Sequence, residues 1–224
     1  MSDTDSFIDE VTEEVRRDAL FAQFRRYGWI AVVAVVAIVG GASWNELQKS
    51  QQRSAAQATG DALLSALDGA DAAARATALQ TADLQSGEAD IVRQLLLSAA
   101  QLESGDAAAA AATLNGAATS DVDAIYKDLA AFKAVLAQSS DMSAQDRRIA
   151  FETLASAGRP LALYASEQIA LLEIEAGNID VAVTRLQTIS LDAGASAGLR
   201  QRATQLIVAL GGEPEDLPTA TEGQ

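Results

Sequence analysis

The chain contains no cysteine and no histidine. Disulfide scaffolds, thiol nucleophiles and the usual Cys/His zinc sets are therefore excluded, and imidazole general bases with them. Hydrolytic chemistry would be left with a Ser–Lys pair or with paired carboxylates. Acid pairs such as Glu173/Glu175 and Asp121/Asp123 stand two positions apart and point to different faces of a helix. No catalytic, cofactor-binding or metal-binding residue is assigned, and the chain is expected not to be an enzyme. Aromatic residues are only 4% of the chain, few for sheets, whose faces favour aromatic and β-branched side chains. Cations are also scarce, 16 against 31 acids. Residues 45–224 hold 24 Asp and Glu against 12 Lys and Arg, a surface that repels nucleic acid and anionic lipid.

What the chain does have is alanine at helical spacing and one long uncharged run, Tyr27 to Trp44. At about 1.5 Å per residue that run measures roughly 27 Å, close to a bilayer's hydrocarbon thickness. Tyr27 and Trp29 at one end and Trp44 at the other suit the two interfaces. A buried core helix rarely runs this long without polar residues at helical period, and a cleaved signal peptide fits poorly with 26 acidic-rich residues ahead of the run. A single transmembrane helix over 27–44 is therefore expected, as an uncleaved signal anchor. Arg16, Arg17, Arg25 and Arg26 precede it, whereas only Lys49 and Arg53 follow closely. By the positive-inside rule these four arginines keep the N-terminus in the cytoplasm and send the C-terminal part across. The expected location is a bacterial inner membrane, single-pass, with a periplasmic domain.

Four segments follow. Residues 1–26 form a cytoplasmic N-terminal segment in which Ile8, Val11 and Val15 line one side of a helix. Residues 27–44 are the span. Residues 45–212 read as helix hairpins. Residues 213–224, acidic and holding two of the three prolines, are expected to be disordered. Within 45–212, helices are expected up to Asp68-Gly69, over 71–84, over 90–118 with a turn at Ser104-Gly105-Asp106, over 121–138, and from a cap at Ser143 to 157. Arg159-Pro160 opens a further helix, 165–189 holds a turn at Gly177-Asn178, and 196–210 closes the domain. Aligning Gly105 on Gly177 also aligns Ala110 with Ala182, Leu114 with Leu186 and Ala117 with Ile189. Glycine permits the left-handed turn, and the small residue five positions on allows close helix packing. The expected fold is all-α, an α-solenoid of helix hairpins behind the N-terminal and transmembrane helices.

Glycine at the turn, a small residue five later and leucine four after that resemble tetratricopeptide repeats. Added to them are Phe7-Ile8-Asp9-Glu10-Val11, Glu14-Val15-Arg16-Arg17-Asp18, Arg25-Arg26-Tyr27-Gly28 and the closing Ala197-Gly198-Leu199-Arg200-Gln201-Arg202-Ala203. The whole layout looks like the YfgM-like family of ancillary SecYEG translocon subunits. The resemblance implies protein partners, namely the translocon and a periplasmic chaperone, with no nucleic acid and no small-molecule substrate. The alternative is a scaffold that organises cell-wall or division proteins. A repeat superhelix offers a concave groove lined by first helices, whose candidate binding residues are Arg93, Gln94, Gln101, Tyr126, Lys133, Tyr164 and Gln168.

Overall fold

A computed structural model of the chain describes the backbone of residues 3–82, 84 and 87–213, and the side chains of 29, 30, 33–82, 84 and 89–213. Among these residues there are nine helices and no strand. They are α1 (Asp3–Leu67), α2 (Ala72–Thr81), α3 (Gly87–Glu103), α4 (Ala107–Ala118), α5 (Ala124–Ala137), α6 (Ala144–Leu154), α7 (Ala162–Glu175), α8 (Ile179–Leu191) and α9 (Ala197–Ala209). The chain divides into two compact units, Met1–Ala58 and Thr59–Gln224. The expected disordered tail and the apolar side Ile8, Val11 and Val15 lie outside the described residues or side chains, as do the orienting arginines Arg16, Arg17, Arg25 and Arg26.

The described part of the first unit is α1 up to Ala58, and the last turns of α1, Thr59 to Leu67, belong to the second. No helix among the described residues is long and apolar enough to cross a membrane. The expected span over 27–44, and with it the single-pass inner-membrane location and its orientation, is corrected accordingly. The second half of the run is diluted by Gly40, Gly41, Ala42 and Ser43, which lack the favourable transfer free energy that Leu, Ile, Val or Phe would supply. The helix continues without interruption into the polar stretch from Asn45.

In the second unit, local chemistry sets the helix ends. Asp71 accepts from the Ala74 amide at 2.7 Å, Asp106 from Ala109 at 2.9 Å, Ser143 from Asp146 at 3.1 Å and Ser196 from Leu199 at 3.3 Å. Each side chain satisfies one of the amides a helix start leaves free, worth about 1 kcal/mol. At the other ends Gly105 and Gly177 take φ of +86° and +80°. In both turns the next amide reaches back to close the helix: Asp106 N donates to the Gln101 carbonyl and Asn178 N to that of Glu173, each at 2.8 Å. This is the six-to-one closure of a Schellman turn.

The predicted register holds in the packing. Ala110, Leu114 and Ala117 of α4 are fully buried, as are Ala182 and Leu186 of α8, with Ile189 1% exposed. Four clusters form the core in succession. Ala66 at the end of α1, Leu79 of α2, and Leu97 and Ala100 of α3 make the first. Ile91, Leu114, Ala117, Ala130 and Ala134 join α3, α4 and α5. Val135, Phe151, Leu154, Ile169 and Leu172 join α5, α6 and α7, with Phe132 and Phe151 tilted at 58° and 5.5 Å apart. Ala170, Leu186, Leu199, Ala203 and Ile207 join α7, α8 and α9. Each helix pair thus buries its apolar face on the next, as stacked helical repeats do. The second helix is shorter than predicted: Ala82 is already extended, so α2 ends at Thr81.

Candidate partner-binding surface

The first helices of successive hairpins are α3, α5, α7 and α9, and ion pairs tie the last three of them to one another. Arg159, just before α7, pairs with Asp128 of α5 through both Nε and Nη2. Arg202 of α9 holds both oxygens of Glu167 of α7 at 2.8 Å. These two carboxylates are 2% and 6% exposed, and burying such a group without a paired, hydrogen-bonded cation would be costly. Bidentate geometry supplies that pairing with a fixed orientation. Hydrogen bonding to Glu167 raises the Arg202 guanidinium above its already high ordinary value, against the opposing effect of burial.

A third buried carboxylate joins the second helix of one hairpin to the first helix of the next. Glu173 of α7 accepts from Arg148 of α6 and from Asn178 Nδ2 at 2.8 Å. The Arg148 bond, then the Asn178 bond, hold its carboxyl below the ordinary range, and burial only partly offsets them. The same bond raises Arg148. From the neighbouring position on α6, Arg147 pairs with Glu175 of α7 at 2.8 Å. Sequence reasoning did not single out any of these clasps. The available signal was an acid within an apolar stripe, such as Glu167 between Ala165 and Ile169.

The seven candidate residues all lie on first helices, in different surroundings. Arg93 and Gln94 of α3 are brought together by Asp90, which accepts from Arg93 Nε at 2.7 Å and from Gln94 Nε2 at 2.5 Å; Arg93 also donates to the Leu79 carbonyl. Gln101 is buried and accepts from the Thr113 hydroxyl of α4 at 2.9 Å. Tyr126 is exposed on α5 and Lys133 half-buried. Tyr164 places its hydroxyl 3.2 Å from Ser196 Oγ, the cap of α9. Gln168 lines a cleft of about 210 Å³ between α5, α6 and α7, with Leu136, Arg147, Leu171 and Glu175. A larger cleft, about 500 Å³, opens between α7 and α8, where Leu163, Val181 and Ile189 provide apolar wall and Thr184, Arg185 and Thr188 the polar side. No group of three or more acids that could hold a metal occurs among the described residues.

No curated protein matches the chain, and no solved structure matches it. A family described as a tetratricopeptide repeat-like domain matches residues 22–145, more than half of the sequence and reaching from α1 into α6. The hairpin of α7 and α8 lies beyond that match yet repeats the buried register of α3 and α4. The chain belongs to the tetratricopeptide repeat-like domain family.

Proposed function

We propose that the protein is a non-catalytic interaction module that binds protein segments along its row of first helices. The observation that carries this reading is the pair of buried clasps, Asp128–Arg159 and Glu167–Arg202, which link first helix to first helix through α5, α7 and α9. Such a row is a rigid platform, and rigidity lowers the entropy cost of binding an extended segment. Tyr126, Lys133 and Gln168 are its accessible side chains; Arg93, Gln94 and Tyr164 are held by hydrogen bonds, and Gln101 supports the row from beneath. The acidic balance of the chain favours partners with basic segments. At the finer level, the resemblance to the YfgM-like family supports the Sec translocon and a chaperone of exported polypeptides as the partners.

A photo-crosslinking residue placed at Lys133 or Gln168 of the full chain, in its own cells, tests this directly. Discrete adducts containing a translocon subunit or such a chaperone, absent when the same probe sits at the exposed Glu152 of α6, are the expected result. Identical adduct patterns at all three positions would overturn the platform. Adducts with cell-wall proteins alone would keep the platform and reassign the partner.

A further inference from the structure

The cleft of about 210 Å³ between α5, α6 and α7 is too small for a whole metabolite, whose pockets run to about 300–1,000 Å³. It has room for one side chain. Each of the three helices gives its floor a buried apolar residue: Val135 of α5, Phe151 of α6 and Leu172 of α7. A charged side chain has no partner on such a floor, and burying it there would be costly. The mouth is more open and more polar. Leu136 at the end of α5 is 42% exposed. On α7, Gln168, Leu171 and Glu175 stand at i, i+3 and i+7, on one face of the helix, and all three line the cleft.

Two groups at the mouth specify what accompanies that side chain. Gln168 is half-buried, and among the described residues its amide makes no hydrogen bond. It offers both donor and acceptor, the complement of one peptide unit. Glu175 holds Arg147, but the pair is lopsided: the arginine side chain is 19% exposed and the glutamate 55%. The carboxylate is therefore what faces outward, in a chain with 31 acids against 16 cations. An arriving cation is attracted there and an arriving acid repelled. We infer that this cleft anchors an extended segment of a partner protein, one large apolar side chain filling the floor with a basic residue two positions away. Gln168 bonds the adjoining peptide unit, and the basic group meets Glu175. Seven residues of helix separate Gln168 from Glu175, about 10 Å, which extended chain covers in about three residues. Side chains two apart in such a chain share a face, which sets the spacing of anchor and cation. This occupant presupposes the first-helix platform and gives its partner a chemistry.

The probe is the peptide Ala-Lys-Ala-Leu-Ala-Lys-Ala, acetylated and amidated, titrated to millimolar concentration into the isotope-labelled full chain. The expected result is saturable shifts of the Leu136 and Leu171 methyl signals and of the Gln168 side-chain amide. Replacing the peptide's leucine by alanine should weaken binding about tenfold or more, and replacing both lysines by glutamate should abolish it. In the protein, Leu171→Trp fills the cleft and Leu136→Asp charges its exposed rim. Each should weaken the peptide at least tenfold with helical content unchanged. Equal affinity for the leucine and alanine peptides would overturn the inference. So would shifts at Leu136 and Leu171 that grow with protein concentration in the absence of peptide, since a second copy would then be the occupant. Shifts at Tyr126 and Lys133 alone would keep the platform and discard the anchor, whereas shifts on none of the first helices would discard both.

Discussion

The hairpins α3–α4 and α7–α8 have the same skeleton and different contents. Their turn glycines stand 72 positions apart, and three buried positions that follow correspond: Ala110 with Ala182, Leu114 with Leu186 and Ala117 with Ile189. At this spacing Gln101 corresponds to Glu173, Thr113 to Arg185 and Asp106 to Asn178. The first hairpin joins its helices with a neutral bond, Thr113 to Gln101 at 2.9 Å, and caps α4 with Asp106. The second holds a buried carboxylate with Arg148 and uses Asn178 to bond that carboxylate instead of capping α8. Across the outer face of the second helix, Ala109, Ala112 and Gly116 give way to Val181, Thr184 and Thr188, which line the larger cleft. Shared small-residue positions fix the packing; the substituted polar positions decide what each hairpin presents.

The largest expected effect should be common to both. Leu114→Ala and Leu186→Ala each remove a fully buried side chain, and each should cost about 3 kcal/mol in urea unfolding. A difference of more than about 2 kcal/mol between them would break the equivalence of the two cores. The polar substitutions should then separate them. Glu173→Ala leaves Arg148 without its buried partner and should cost about 3 kcal/mol, whereas Gln101→Ala loses one neutral hydrogen bond and should cost about 1 kcal/mol. Acid should separate them as well. Because Glu173 is depressed in the folded state, its contribution is complete above the unfolded carboxylate value, about 4.3, and is lost as pH falls through the lower folded value. The wild-type chain should therefore lose more stability between neutral pH and about pH 3 than Glu173→Ala does. Equal losses in the two chains would show that the clasp has no linkage.

Much of this comparison was legible in the sequence, because turn, cap and small-residue spacing act locally. Ser143 and Ser196 cap the helices they precede, and Gly105 and Gly177 adopt the left-handed conformation their positions imply. The clasps were not legible: Asp128 and Arg159 are 31 positions apart, and Glu167 and Arg202 are 35. Only the stacking of non-adjacent first helices brings them together. Gln101 and Tyr126 illustrate the same limit on one set of helices, since helical spacing placed both on first helices without showing that the first is buried and the second open. The span over 27–44 was read from composition over a contiguous run, whereas no helix among the described residues is long and apolar enough to cross a membrane.

The smallest effect tests the turns that establish the skeleton. A Cβ at Gly105 or at Gly177 would meet nothing within 4 Å, so Gly→Ala at either site costs only the left-handed backbone, about 1 kcal/mol. Gly→Asn should recover part of that, because asparagine enters this conformation more easily. Both turns should respond alike, since the closing bonds from Asp106 and Asn178 measure the same 2.8 Å. A larger penalty at Gly177 alone would mean that its turn does more than reverse the chain. The reason would lie one residue on, where Asn178 supports the Glu173 carboxylate and any shift of the turn moves Nδ2 from Oε2. Urea midpoints of the four variants, read against Asn178→Ala, would distinguish the two cases: a penalty at Gly177 that disappears in the Asn178→Ala background belongs to the clasp and not to the backbone.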